Sequence, residues 1–145
     1  VFKYNHVLYA IDVSDKNIEE AIQKVIDSAK QNNTKLTIAH YIQSLVSTYP
    51  AYFSYNLSKE EDIQEQMINN AKEKLLPILS NHGLSEDNLI IDISTDIRAS
   101  ILDKANELNV DMICLNGHKH NLFTRIGSVA DYIVNNSKCD VVVLK

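Results

Sequence analysis

Apolar residues recur along this chain in two rhythms that alternate from one end to the other. His6 to Ile11 reads HVLYAI, a nearly unbroken apolar run of strand length, the pattern of a strand covered on both faces. From Ile18 to Ala29 the rhythm changes: Ile18, Ala21, Ile22, Val25, Ile26 and Ala29 return every three or four residues, which predicts an amphipathic helix. Ser14 or Asp15 is placed to cap it, since a short oxygen-bearing side chain accepts from the free amides of a first turn. The polar stretch Gln31 to Thr34 ends it, and Lys35 to Ile42, KLTIAHYI, is the second predicted strand.

A loop rich in aromatics, Gln43 to Ser58, separates that strand from a second helix. The helix opens at S-K-E-E, a capping-box arrangement at Ser58, and carries Ile63, Met67, Ile68, Ala71 and Leu75 toward Leu79 on one face. Pro77 is expected to bend or shorten its last turn, and His82-Gly83 to supply a left-handed stop. Asn88 to Ser94 is the third strand, Ile97 to Leu108 a helix, and Met112 to Asn116 the fourth strand. Ile126 to Asn136 is the last helix and Val141 to Leu144 the last strand. Strict alternation predicts an α/β fold: a doubly wound, five-stranded parallel sheet with right-handed crossovers and helices on both faces, Rossmann-like in class.

Composition adjusts this picture only a little. At 145 residues the chain has the size of one domain, taken here as 1–145, and its apolar and charged fractions of 45% and 23% are those of a globular protein. A net charge of −5 gives no long-range attraction to phosphate backbones or anionic lipid, so neither nucleic acid nor a membrane surface is expected as a partner. Cys114 and Cys139 lie in apolar runs without metal-type spacing and read as reduced thiols. The opening VFKYNHVLYAID enters a strand pattern without the zones of a signal peptide, and no apolar run approaches the length of a membrane span. The expected location is the cytoplasm.

Ligands of an open parallel sheet bind outside the carboxyl ends of its strands, which directs attention to the loops Asp12 to Asn17, Gln43 to Ser58, Thr95 to Arg98 and Gly117 to Thr124. Two of only three glycines, Gly117 and Gly127, bracket the last of these, and Gly127-Ser128-Val129 enters the final helix. A glycine and a serine there can offer free amides and a hydroxyl to an anion, or can simply allow close packing and local capping. No Walker A or GxGxxG sequence is present. His118 and His120 lack the further ligands that a metal needs, His40 reads as a core or strand-end histidine, and Ser128 has neither the nucleophile elbow nor the positioned acid of a hydrolase. No catalytic residue and no metal ligand is assigned.

The segments IDVS at Ile11 to Ser14, IAHYI in the second strand and NGHKHNLFTRIGSVADYIVNNSKCDVVVLK at the end resemble the universal stress protein family, over the whole chain. The resemblance implies the adenine nucleotide alpha hydrolase-like fold. It also implies a nucleotide site in which Asp12 contacts the ribose or a metal and the backbone of Tyr41 faces adenine, while Asn116, Lys119, Gly127, Ser128 and Val129 stand on the phosphate side. Asp12 has an equal structural reading as a helix cap. The two glycines of the family's Gly-x-x-Gly motif fall on Asn116 and Lys119, and seven residues rather than nine separate Lys119 from Gly127. Thr95 stands where the family often has glycine. A lysine side chain fills space that a backbone amide needs to approach phosphate, so the altered loop is similar to that of the family's A-type branch, which generally lacks ATP binding.

That branch implies a stress protein without an enzymatic role, working as a homodimer through the strand Val141, Val142, Val143 and Leu144, with unknown protein partners and phosphorylation on Ser or Thr. No cofactor is then expected. The alternative is an ATP- or AMP-binding sensor, with magnesium and at most slow hydrolysis. A third reading, a phosphoacceptor domain, needs Asp12 and Asp96 to meet at adjacent strand ends, with Lys145 beyond the last strand. The aromatics Tyr49 to Tyr55 read as cover for a sheet edge or dimer seam.

Overall fold

A computed structural model describes residues 3–53, 57–117 and 127–145. Five parallel strands, β1 (His6–Ile11), β2 (Lys35–Gln43), β3 (Leu89–Ser94), β4 (Met112–Asn116) and β5 (Asp140–Leu144), form one sheet in the order β3-β2-β1-β4-β5. The order reverses between β1 and β4, so crossovers leave in opposite directions there. One face carries α1 (Ile18–Gln31) and a long helix that α2 (Leu45–Thr48) and α3 (Pro50–Phe53) precede, α4 (Leu57–Asn81). Ile22 and Ile26 of α1 and Leu75 and Leu79 of α4 pack there on Tyr9 and Ile38, all six fully buried. The opposite face carries α5 (Ile97–Glu107) and α6 (Ser128–Asn136), whose Ile101 and Ile133 pack on Leu8 and Ile113. This is the doubly wound α/β architecture that the alternation predicts.

Several boundaries differ from the expected ones for local reasons. Neither Ser14 nor Asp15 caps α1: Asn17 occupies the cap position without a side-chain bond, and the two predicted caps are used one step earlier. Asp12 Oδ1 accepts from Ser14 N and Ser14 Oγ at 2.9 and 2.7 Å, and Asp15 Oδ1 accepts from Asn17 N at 3.0 Å, two turns that compete with helical capping. The loop after β2 is not structureless, since α2 and α3 fill it with two short helical pieces, and Phe53 is buried there. Asn88 belongs to a 3-10 turn rather than to β3: its Oδ1 accepts from Ser85 N and its Nδ2 donates to Leu36 O, both at 3.1 Å. α4 runs through Pro77 to Asn81, and Gly83 (φ 75°) supplies the left-handed stop. Ile126 and the side chain of Ser58 lie outside the described residues; Gly127 is the cap of α6.

The helices leave one part of the sheet uncovered. On the face of α1 and α4, Cys114 of β4 is still buried in the cluster beneath α1, whereas Val142 of β5 is 37% exposed, and a groove of about 900 Å³ runs between α1 and those strands. Tyr4 crosses its lower end, its hydroxyl donating to Asp140 Oδ2 at 3.0 Å. Among the described residues no helix is long and apolar enough to cross a membrane.

Candidate functional site

The carboxyl ends of the strands bring together some of the residues singled out from sequence and separate others. Beyond β3 and β2, a concavity of about 370 Å³ is lined by Gln43, Thr95, Asp96, Ile97, Arg98, Ser128 and Val129. Two helix amino termini converge on it, and their free amides and dipoles both favour negative charge. α5 has a side-chain cap, Asp96 Oδ1 accepting from Ala99 N at 3.4 Å, whereas α6 begins at Gly127 with no side-chain cap bond. Gln43 Nε2 donates to Thr95 O at 3.1 Å and to Ser47 Oγ at 2.8 Å, tying β2 to the β3 loop at the rim.

Arg98 is the functional candidate that sequence reasoning passed over. Its guanidinium carbon lies 4.6 Å from the centre of the Tyr132 ring, and its Nε is 3.5 Å from Asp96 Oδ1. Tyr132 stands one turn after Ser128, so the guanidinium is held over the first turn of α6 by a cation–π contact and an exposed ion pair. A basic residue in the first turn after a strand-end loop was the available signal; nothing local predicts the tyrosine beneath it.

Asn116 goes elsewhere. It ends β4 with its side chain on the α1 face, where Oδ1 accepts from Tyr9 OH at 2.8 Å. Nδ2 is buried with no hydrogen-bond partner. Tyr9 itself is fully buried, and desolvation raises its pKa far above the ordinary phenol value, so it serves as a donor. Asn116 therefore lines the groove beside α1, while Ser128 and Val129 line the concavity beside α5. Asp12 leaves β1 between them, its carboxylate turned onto Ser14.

Tyr41 also divides into two parts. Its side chain is buried in the core beneath α5 with an unpartnered hydroxyl, and burial, helped by Asp92, Glu107 and Asp103, pushes its pKa up to about 12. Its backbone stands one residue beyond the last β1–β2 pair, Ile11 with His40, and so reaches the strand-end surface on that side. His40 is buried, Nδ1 lying 3.1 Å from Ile11 O. Lys119 lies outside the described residues, as do His118 and His120.

Two chemistries weighed from sequence fare differently. Strand order contradicts the phosphoacceptor reading: Asp12 follows β1 and Asp96 follows β3, with β2 between them, so the two acids do not sit at adjacent strand ends. Among the described residues no group of three or more His, Cys, Asp or Glu could hold a metal. Cys114 is buried and its thiol pushed up to about 12 by desolvation, which leaves it an inert core group; Cys139 is half-buried, Sγ lying 3.3 Å from Ser137 Oγ.

The fold is that of a known class. The universal stress protein family model matches residues 3–145. A putative universal stress protein of Staphylococcus aureus strain USA300 is 31% identical over 147 residues, covering 98% of this chain and 84% of the relative. The chain belongs to the universal stress protein family. Among solved structures it is similar to universal stress protein UspA from Lactobacillus plantarum, with a TM-score of 0.72 and 23% identity over the whole of both chains. It is also similar to a universal stress protein from Archaeoglobus fulgidus solved in complex with dAMP, with a TM-score of 0.61 and 15% identity, covering 99% of this chain and 100% of that one.

Proposed function

We propose that this universal stress protein acts in a cytoplasmic stress response as a single-domain homodimer joined through β5, and that it holds ATP weakly or not at all. The observation that carries the second statement is the separation of the phosphate-side residues. Asn116 is committed to Tyr9 on the α1 face, whereas Ser128 and Val129 open into a concavity on the α5 face. A triphosphate needs amides and cations converging on one line, and among the described residues that convergence is absent. The first statement is supported by the position of β5 at the sheet edge, with Val142 37% exposed. On this reading the protein works through a protein partner and phosphorylation on Ser or Thr, with no nucleic acid, membrane or metal involved.

A second reading has its own observation. The concavity carrying Arg98, Ser128 and two helix amino termini fits one phosphate, and a relative of this fold is seen with dAMP. A sensor of adenine mononucleotide would place the phosphate there and the base against the Tyr41 backbone near Asp12. Calorimetric titration with ATP and with AMP, each with Mg²⁺, separates the two readings. The first predicts dissociation constants weaker than about 1 mM for both nucleotides. Saturable AMP binding that is lost in Ser128→Ala and in Arg98→Ala establishes the second instead.

A further inference from the structure

The sheet has two edges, β3 on one side and β5 on the other, and their outward backbone groups are used differently. Pairing decides which groups face out. Ser94 O accepts from Ser44 N at 2.8 Å, so Ser94 turns toward β2, and by alternation along a parallel strand Asp92 and Ile90 do the same. Leu89, Ile91 and Ile93 therefore turn their N–H and C=O groups outward. Across the sheet, Leu144 O accepts from Gly117 N, which leaves the amides of Val141 and Val143 outward on β5.

Two of the three outward donors of β3 are already used within the chain. Asp92 is exposed, and its Oδ1 accepts from Ile93 N at 2.8 Å. Leu89 N donates to Glu86 O, closing the 3-10 turn Glu86–Asn88. Among the described residues the Ile91 amide has no partner, and none occupies the amide of Val141 or Val143 on β5. The side chains of β3 do not themselves discourage pairing, since Leu89, Ile90, Ile91 and Ile93 are half-buried, apolar and mostly β-branched.

A second copy meeting this edge across a two-fold axis would run antiparallel, with Ile91 opposite Ile91 and Leu89 opposite Ile93, each such pair exchanging two bonds. The central pair is available. The flanking pairs need the Ile93 amide of one copy and the Leu89 amide of the other, and both are occupied. The Asp92 carboxylates of the two copies would also stand diagonally across the axis on one face, like charges about 7 Å apart.

We propose that Asp92 is an edge guard: by holding the Ile93 amide it denies β3 to the β3 of a second copy, and its removal opens a self-association surface at this edge. The assignment is independent of the β5 seam, because it concerns the opposite edge and is read as a difference between two chains.

Hydrogen exchange and sedimentation test it. In the natural chain the Ile93 amide is expected to exchange about tenfold more slowly than the Ile91 amide, after correction for sequence. Asp92→Thr removes the carboxylate and leaves a residue at home in strands. Sedimentation velocity at rising concentration is expected to show this variant forming species at least about twice the mass of the natural chain's, the Ile91 and Ile93 amides becoming protected as they form. That comparison is the same whether the natural chain is a monomer or a dimer. Equal exchange at Ile91 and Ile93 in the natural chain overturns the proposal, and this reading stands even where Asp92→Thr loses stability. A folded Asp92→Thr chain that sediments like the natural one, or whose assembly leaves the two β3 amides unprotected, overturns it as well.

Discussion

β2 and β5 both carry a mainly apolar run, yet they live in different surroundings. Leu36 through Ile42 of β2 are buried without interruption, between α1 and α4 on one side and α5 on the other. No residue of β5 is fully buried, and Val142 projects into the groove. The difference lies in neighbours rather than in composition. An apolar run reports that a strand avoids water, and the position of the strand in the sheet decides whether helices or a further molecule do the covering.

The largest effect that separates the two regions is on stability. Ile38→Ala removes a fully buried side chain from the covered half, and urea unfolding is expected to show a loss of about 2–5 kcal/mol. Val142→Ala, on the open half, is expected to cost under about 1 kcal/mol in the unassociated chain. Equal losses would mean that the open face is packed as tightly as the closed one. Gly117→Val gives an intermediate effect at the seam of β4 and β5. A Cβ there would meet Leu144 O at 3.0 Å and Val143 Cγ1 at 3.2 Å, so the backbones must separate, at about 1–3 kcal/mol. Unfolding of Gly117→Val that matches the natural chain would show that this approach is relaxed freely.

The smallest effect is acid sensitivity at the strands' amino ends. Asp111 accepts from Asn5 N and His6 N at 2.8 and 2.9 Å, and the Asn5 amide first, then that of His6, hold its carboxyl below the usual value. Burial, with the charge of Lys35, lowers His6, whose Nε2 lies 2.8 Å from Thr37 Oγ1. Both groups bind protons more readily in the unfolded chain, so their contributions are whole above the ordinary values of 3.8 and 6.5 and are lost as pH falls through the lowered ones. The histidine share should go first, and His6→Gln should flatten the decline of melting temperature just below neutrality. An unchanged slope would show that the imidazole is indifferent to folding.

Much of this was legible in the chain itself. Alternating rhythms gave the parallel sheet, and the run HVLYAI marked a strand covered on both sides. The turn at His82-Gly83 was readable because few residues other than glycine adopt positive φ without strain. The resemblance marked VVVL as a dimer strand, but its place at the sheet edge is set by the strand order, since VVVL alone does not distinguish edge from centre. The site was less legible because side-chain direction depends on which face a strand residue meets. Asn116 is one residue from Gly117 in sequence, yet its commitment to Tyr9 is set by β1–β4 pairing, where Tyr9 lies opposite Cys114. Arg98 was invisible for a similar reason: it matters through Tyr132, which is 34 positions away and is brought beneath it by the packing of α5 on α6.

The comparison of covered and open halves rests on β5 being a surface that a second copy completes. Sedimentation equilibrium on the natural chain and on Val142→Lys tests this most directly. The account predicts a dimer for the natural chain and a folded monomer for the variant, whose added charge on the strand is unfavourable in a seam but harmless in water. A natural chain that sediments as a monomer at all concentrations, or a Val142→Lys variant that remains dimeric, would contradict it.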